Sequence, residues 1–181
     1  MVKIPTEIEG CFVIEHDVYE DNRGLFYEAF NKKELKTRLG IETDFVQDNI
    51  SVSKRGVLRG LHYQKENYSQ AKLVQVTYGE AMDVIVDLRT NSPTYGKHIK
   101  FKLKGDDRKS IFIPKGMAHG FLALSEMVIF QYKCDAYYNS NADTGLMYND
   151  PDLAIDWQFP KHEIILSEKD QKLPFFKSIS L

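Results

Sequence analysis

The sequence predicts a mainly β fold, an antiparallel sandwich or barrel with a few short helices. Apolar and β-branched residues occur in short runs, and Gly, Asn, Asp or Pro separates one run from the next. In the stretch 100–104, Phe and Leu alternate with Lys, as expected of a strand with one buried face. Only one segment carries the combined start and stop signals of a helix.

The predicted strands are the apolar runs that end at turn residues. They cover 73–78, 81–88, 100–104, 110–113, 121–124 and 127–138. The first two are separated by a turn at Gly79 and Glu80. The stretch from Asp150 onward is punctuated by prolines, and we expect it to pack over one end of the fold.

The one helix is predicted near residues 32–39. Asn31 is a good N-cap, and Glu34 follows it three residues later, as in a capping box. Two leucines four residues apart share a face, and Gly40 suits the position just after the helix end.

Length and composition limit the classes of function. We expect the 181 residues to form one domain, 1–181, with a sizeable core. The net charge of −2 argues against nucleic acid as the main partner, and no apolar run is long enough to span a membrane. Cys11 and Cys134 lie in apolar surroundings without a CxxC motif, and no signal peptide is recognised. These features predict reduced thiols in the cytoplasm.

Four polar residues interrupt otherwise apolar strand sequence: His62, Lys72, His119 and Tyr132. Burying such groups is costly unless they are paired or used in function. Each one alone is more often a satisfied core residue or a surface side chain. A functional interpretation therefore depends on their arrangement.

Residues 114–119 fit the motif PxGxxH, which is typical of cupin jelly rolls. In metal-binding cupins that His is a ligand, and an earlier strand supplies His-x-His and a Glu. Here the earlier strand has His62 followed by Gln64, and the expected Glu position falls on Lys72. A cation at a ligand position repels a divalent metal, so we predict no metal and no cofactor.

The chain resembles the dTDP-4-dehydrorhamnose 3,5-epimerases, which are non-metal cupins of bacterial deoxysugar synthesis. The resemblance extends from about residue 21 to about residue 174. The matching motifs are 21–24 with Phe26 and Glu28, then 45–49, 56–64, 71–74, 113–121, 137–138, 149–151 and 166–170.

The resemblance implies four catalytic residues. His62 would be the base and Asp170 its partner, Tyr132 would be the acid on the opposite face of the sugar, and Lys72 would hold the enolate oxygen. A histidine titrates near neutral pH, as a base for this step should. A carboxylate behind the ring would fix its tautomer and stabilise the imidazolium.

The resemblance also implies a binding surface and a homodimer in which residues of the other subunit complete each site. Binding of phosphates and sugar would involve Arg23, Arg59, His119 and Lys169. The nucleotide and sugar pocket would be lined by Glu28, Gln47 and Asn49, with Phe26 and Tyr138 on either side of the base. Asp143 stands where the family commonly has Glu, and its shorter side chain would reach less far toward the ligand.

The implied reaction converts dTDP-4-dehydro-6-deoxy-D-glucose to dTDP-4-dehydro-L-rhamnose in dTDP-L-rhamnose biosynthesis, which would supply lipopolysaccharide or cell-wall polysaccharide. The hydrogens on C3 and C5 are both acidified by the C4 carbonyl, so one acid–base pair could invert both centres. Three alternatives remain open: an epimerase of a single centre in a related keto-sugar nucleotide, a non-catalytic sugar-nucleotide binding cupin, and a metal-dependent cupin enzyme.

Overall fold

Two antiparallel sheets form the fold in a computed structural model that describes residues 1–179. The first sheet has the spatial order β1 (Val2–Pro5), β2 (Phe12–Glu15), β10 (Lys109–Ile113), β7 (Lys72–Tyr78), β12 (Met127–Cys134) and β5 (Gln47–Lys54). The second has the order β13 (Asp143–Gly145), β6 (Leu58–Gln64), β11 (Met117–Ala123), β8 (Glu80–Asp87) and β9 (His98–Lys104). A hairpin of β3 (Val18–Asp21) and β4 (Gly24–Tyr27) forms a separate two-stranded sheet.

The two large sheets share one apolar core. Val74 and Phe130 of the six-stranded sheet pack in the same buried cluster as Ile85 and Phe121 of the five-stranded sheet. The rings of Phe121 and Phe130 are parallel, with centroids 4.1 Å apart. This face-to-face arrangement is the jelly-roll sandwich that the sequence predicts.

The outer face of each large sheet is covered by a different segment. Helix α1 (Lys32–Leu39) places Leu35 and Leu39 against Phe12 and Phe112 of the six-stranded sheet. After residue 150, Leu153, Ile155 and Trp157 pack with side chains of β6, β8 and β11. Residues 153–157 therefore cover a face of the five-stranded sheet, which the expectation of packing over one end did not include.

The predicted helix is confirmed, together with both of its caps. The Asn31 side chain accepts hydrogen bonds from the backbone N–H groups of Lys33 and Glu34, at 3.1 and 3.2 Å. Gly40 has a φ of 70° and ends the helix in the left-handed conformation. Of the described residues, none belongs to a helix long and apolar enough to cross a membrane.

Two predicted strands differ from the structure by more than two residues at one end. Strand β11 begins at Met117 rather than 121, because buried Asp83 pairs with His119 and so allows a histidine inside the strand. Strand β12 ends at Cys134 rather than 138. The carboxylate of Asp135 there accepts a hydrogen bond from the backbone N–H of Ala71 at 2.7 Å.

Candidate active site

A cavity of about 470 Å³ lies between the two large sheets, beneath residues 165–170. Its lining comes from strands of both sheets and from residues 165–170. Seven of the predicted site residues line it: Arg59, His62, Lys72, His119, Tyr132, Lys169 and Asp170. The fold thus brings together, in one concave site, residues that are more than one hundred positions apart in the sequence.

A bulge in β6 places both Arg59 and His62 on the cavity side. His62 pairs with His119 and Arg59 pairs with Phe121, so two residues of β6 lie opposite the single Gly120 of β11. Gly60 has a φ of 111°, and a Cβ there would lie 2.7 Å from the His119 carbonyl oxygen. Only glycine fits this position. The extra residue of the bulge turns His62 to the same face as Arg59.

His62 and Asp170 form a hydrogen-bonded pair. His62 Nε2 lies 2.6 Å from Asp170 Oδ1, and the Asp170 side chain is 4 % exposed. Burial alone would raise the pKa of Asp170. The hydrogen bond and charge of His62, together with hydrogen bonds from Gly60 and Ser167, outweigh burial and hold that pKa below its ordinary value. An ionised carboxylate only accepts, so Nε2 carries the proton and Nδ1 is the basic nitrogen.

Tyr132 and Lys72 enter the cavity from the six-stranded sheet, opposite the sheet that carries His62. Lys72 Nζ lies 6.0 Å from the centroid of the Tyr132 ring. Burial raises the pKa of Tyr132, so its hydroxyl is protonated at neutral pH. Burial lowers the pKa of Lys72, although Asp143 and Asp83 act in the opposite direction.

His119 forms a second histidine–carboxylate pair with Asp83. Its Nε2 lies 2.6 Å from Asp83 Oδ1, and Asp83 is fully buried. Within residues 1–179, Asp83 Oδ2 has no hydrogen-bond partner. Sequence reasoning missed Asp83, although a carboxylate inside the apolar run 81–88 is itself a signal of a paired or functional group.

Strand β5 presents a polar row to the inside of the sandwich. Gln47, Asn49, Ser51 and Ser53 occupy its less exposed alternate positions, and the residues between them are exposed. Ser53 Oγ accepts a hydrogen bond from Arg59 Nε at 3.1 Å, and Ser51 lines the cavity. The two serines are further site residues that sequence reasoning missed, and their period-two spacing with Gln47 and Asn49 was the available signal.

The remaining predicted residues on this side form a hydrogen-bonded group beside the cavity. Asp143 Oδ2 accepts from the Tyr138 hydroxyl at 2.9 Å and is also ion-paired with Lys169 Nζ. Gln47 Oε1 accepts from the Tyr138 backbone N–H at 2.9 Å, and Gln47 Nε2 donates to Asn49 Oδ1 at 2.9 Å. Asp143 thus holds Lys169 at the mouth of the site.

Three predicted binding residues lie away from the cavity of their own chain. Arg23 and Phe26 belong to the β3–β4 hairpin, where the Arg23 side chain is 86 % exposed and pairs with Asp21 at 2.5 Å. Phe26 is also exposed. Glu28 follows the hairpin and accepts a hydrogen bond from Asn31 Nδ2 at 3.0 Å. Their role in substrate binding stays a prediction.

The two positions that depart from metal-binding cupins have other contacts. Gln64 Oε1 accepts from the Asn139 backbone N–H at 2.6 Å, and its Nε2 donates to the Tyr68 carbonyl at 2.9 Å. Lys72 lines the cavity instead of a carboxylate. Across the described part of the chain, no group of three or more His, Cys, Asp or Glu residues is arranged to hold a metal ion.

Comparison with known proteins identifies the family. Residues 5–178 match the dTDP-4-dehydrorhamnose 3,5-epimerase family. The dTDP-4-dehydrorhamnose 3,5-epimerase of Escherichia coli strain K12 is 47 % identical over 94 % of this chain and 91 % of its own length.

Solved structures agree with the sequence comparison. The dTDP-4-dehydrorhamnose 3,5-epimerase of Elizabethkingia anophelis has a TM-score of 0.93 at 48 % identity, covering 98 % of this chain and 97 % of the other. The dTDP-6-deoxy-D-glucose-3,5-epimerase of Legionella pneumophila, solved with dTDP-4-keto-L-rhamnose, has a TM-score of 0.94 at 45 % identity, covering 99 % and 94 %. The chain therefore belongs to the dTDP-4-dehydrorhamnose 3,5-epimerase family.

Proposed function

We propose that this chain epimerises dTDP-4-dehydro-6-deoxy-D-glucose at C3 and C5 to give dTDP-4-dehydro-L-rhamnose, without a metal or other cofactor. The observation that carries the proposal is the placement of two proton-transfer groups on opposite walls of one cavity. The His62–Asp170 pair lies on the five-stranded side, and Tyr132 lies on the six-stranded side. We place the reaction in the cytoplasm, in the synthesis of dTDP-L-rhamnose for lipopolysaccharide or cell-wall polysaccharide.

The reaction begins with removal of the proton on a carbon next to the C4 ketone. His62 Nδ1 takes this proton, and the C–H electron pair moves into an enolate whose charge collects on the C4 oxygen. Asp170 keeps the ring in the reactive tautomer and stabilises the imidazolium that forms. The Asp170 carboxylate is buried, so its attraction to the His62 imidazolium is only weakly screened by water.

Lys72 stabilises the enolate. Its ammonium group is buried in the cavity wall next to Tyr132, where a negative oxygen would favour the protonated form of the lysine. A fixed donor to a developing oxyanion contributes about 3 kcal/mol to transition-state stabilisation. This cation replaces the metal that would polarise a carbonyl in a metal-dependent cupin.

Inversion needs a proton delivered from the other face of the sugar ring. The protonated Tyr132 hydroxyl donates it to the planar enolate carbon, since His62 is confined to the opposite wall. Because C3 and C5 flank the same carbonyl, a shift of the sugar within the cavity presents each carbon to the same pair, once His62 has released its proton to solvent and Tyr132 has regained one. The nucleoside diphosphate is held at the mouth by Arg59 and Lys169 through charge-assisted hydrogen bonds.

Turnover in heavy water tests the proposed reaction. We expect NMR of the product, trapped by a dTDP-4-keto-sugar reductase, to show deuterium at both C3 and C5 with inverted configuration at both. Each inversion draws its new proton from a group that exchanges with solvent, so each leaves one label. A single labelled centre would instead identify an epimerase of one carbon. An unlabelled, unchanged substrate would identify a binding protein without catalysis.

We propose further that the chain acts as a homodimer in which the β3–β4 hairpin serves the site of the other subunit. The hairpin carries the exposed side chains of Tyr19, Leu25 and Phe26, and Arg23 beside them, outside the cavity of its own chain. The rings of Tyr19 and Phe26 lie side by side, with centroids 6.5 Å apart, and exposed apolar side chains grouped in this way are typical of an interaction site. The dimer also agrees with what the family resemblance implies for these residues.

Mixing two variants that are each expected to be inactive tests the shared site. In a mixed dimer of His62→Gln and Arg23→Ala chains, one site has both changes and the other has neither. We therefore expect unfolding and refolding of an equal mixture to restore about one quarter of the parental activity, with dimers formed at random. If Arg23 serves its own chain, both sites of the mixed dimer carry one change, and the mixture stays inactive.

A further inference from the structure

Asp150 is a buried carboxylate that lies outside the cavity and has no part in the proposed chemistry. It belongs to the Asn149-Asp150-Pro151 motif and is 1 % exposed. Its contacts in the described residues are to backbone N–H groups rather than to a cationic side chain: Oδ1 accepts from Asp152 and Leu153, at 2.8 and 2.9 Å, and Oδ2 accepts from Phe176 at 2.5 Å. Burying a charge in this way is costly unless its hydrogen bonds are all made.

The bond to Phe176 spans two parts of the chain. Oδ1 serves the turn that follows Asp150 itself, whereas Oδ2 reaches 26 residues onward to the C-terminal segment. Next to it, the backbone N–H of Met147 donates to the Pro174 carbonyl at 2.9 Å. These two bonds fix one end of residues 165–176.

The other end of that segment is fixed to β6 and the turn before it. The backbone N–H of Leu58 donates to the Ile165 carbonyl at 3.0 Å, and the N–H of Ile165 donates to the Gly56 carbonyl at 2.8 Å. Lys169 and Asp170 lie between the two attachments. The position of Asp170 relative to His62 therefore depends on both ends of the segment.

We propose that Asp150 is a positioning residue for catalysis, because it anchors the segment that carries Asp170 and so sets the geometry of the His62–Asp170 bond. The inference rests on the proposed function. A displacement of about 1 Å in a catalytic group can cost about 100-fold in rate, even when the change lies far from the chemistry. Asp150→Asn puts an amide where two acceptor oxygens are needed, so one N–H loses its partner.

The test compares Asp150→Asn with Asp152→Asn. Asp152 is a neighbouring exposed carboxylate that pairs with Lys177, so its variant makes the same chemical change in the same turn. We expect kcat of Asp150→Asn to fall at least tenfold, which is less than the loss of about 100-fold that a displacement of about 1 Å can cause. We expect the acid limb of its pH–kcat profile to move to lower pH, because a loosened carboxylate stabilises the imidazolium less. Asp152→Asn should match the parent in both.

A double-mutant cycle separates positioning from a general loss of structure. If Asp150 acts through Asp170, adding Asp150→Asn to an Asp170→Asn chain lowers kcat by less than twofold, because the bond it positions is already lost. Full additivity of the two changes would overturn the proposal, as would parental kcat and an unmoved pH profile in folded Asp150→Asn.

A second variant keeps the test decisive if Asp150→Asn does not fold. Phe176→Pro removes the backbone N–H that donates to Asp150, together with the aromatic ring, and Phe175, with φ −77° and ψ 156°, already has a backbone compatible with a following proline. Phe176→Leu controls for loss of the ring, which packs near Tyr95. We expect Phe176→Pro, but not Phe176→Leu, to shift the pH profile, and equal profiles would overturn the role of Asp150. A parent without epimerase activity would instead contradict the proposed function.

Discussion

Replacing His62 with glutamine is expected to lower kcat for epimerisation by about 1000-fold, within the range that a positioned acid–base group contributes. Glutamine keeps a polar side chain of similar length in β6 but cannot take a proton at neutral pH. The ring is 31 % exposed toward the cavity, so its loss leaves no large void in the core. Steady-state rates with the dTDP-keto-sugar measure the effect, and thermal unfolding checks that the variant is folded.

Two further variants make the His62 result specific. His162→Gln changes a histidine that is 84 % exposed and outside the cavity, and it should retain parental kcat. Asp170→Asn keeps His62 but removes the negative partner, so we expect an intermediate loss. If His62→Gln keeps more than a tenth of parental kcat while folded, His62 is not the base.

Replacing Tyr132 with phenylalanine is expected to lower the rate of inversion by about 100-fold, at the low end of the effect of a general acid. The change removes one hydroxyl and leaves the ring against the core, so stability should change little. Water can still reach the enolate through the open mouth of the cavity, which is why we expect a smaller loss than for His62. Polarimetry or coupled reduction of the product measures inversion.

The matched control for Tyr132 is Tyr137→Phe. Tyr137 is 71 % exposed and does not line the cavity, so removing its hydroxyl should leave the rate of inversion unchanged. A Tyr132→Phe protein with parental inversion would show that the proton on the second face comes from another group.

Local patterns in the sequence predicted the one helix and the six strands from β7 to β12. The helix was recoverable because Asn31 and Gly40 are specific cap residues, and the alternation in 100–104 marks a strand at the edge of a sheet. The bulge at Gly60 was not recoverable in this way. A period of two places Arg59 and His62 on opposite faces, and only the pairing with β11 shows that one residue is extra.

The pairs that define the site depend on contacts distant in sequence. Asp83 lies 36 residues from His119, and Asp170 lies 108 residues from His62. No local pattern names such a partner, so Asp170 entered only through family resemblance. Asp83 was missed although its place in an apolar run marked it as a paired or functional group. The β3–β4 hairpin shows a different limit of prediction from sequence. Arg23 and Phe26 can make their predicted substrate contacts only if a second chain supplies the site.

Proton transfer on two opposite faces is the central claim of this mechanism, and one measurement tests it most directly. The ratio of deuterium exchange to inversion is measured by NMR for Tyr132→Phe and for the parent in heavy water. We predict that the variant returns substrate labelled at C3 or C5 with its original configuration, because His62 still exchanges the proton on its own face. The ratio should then rise well above that of the parent. An unchanged ratio in an active, folded Tyr132→Phe protein would contradict the claim.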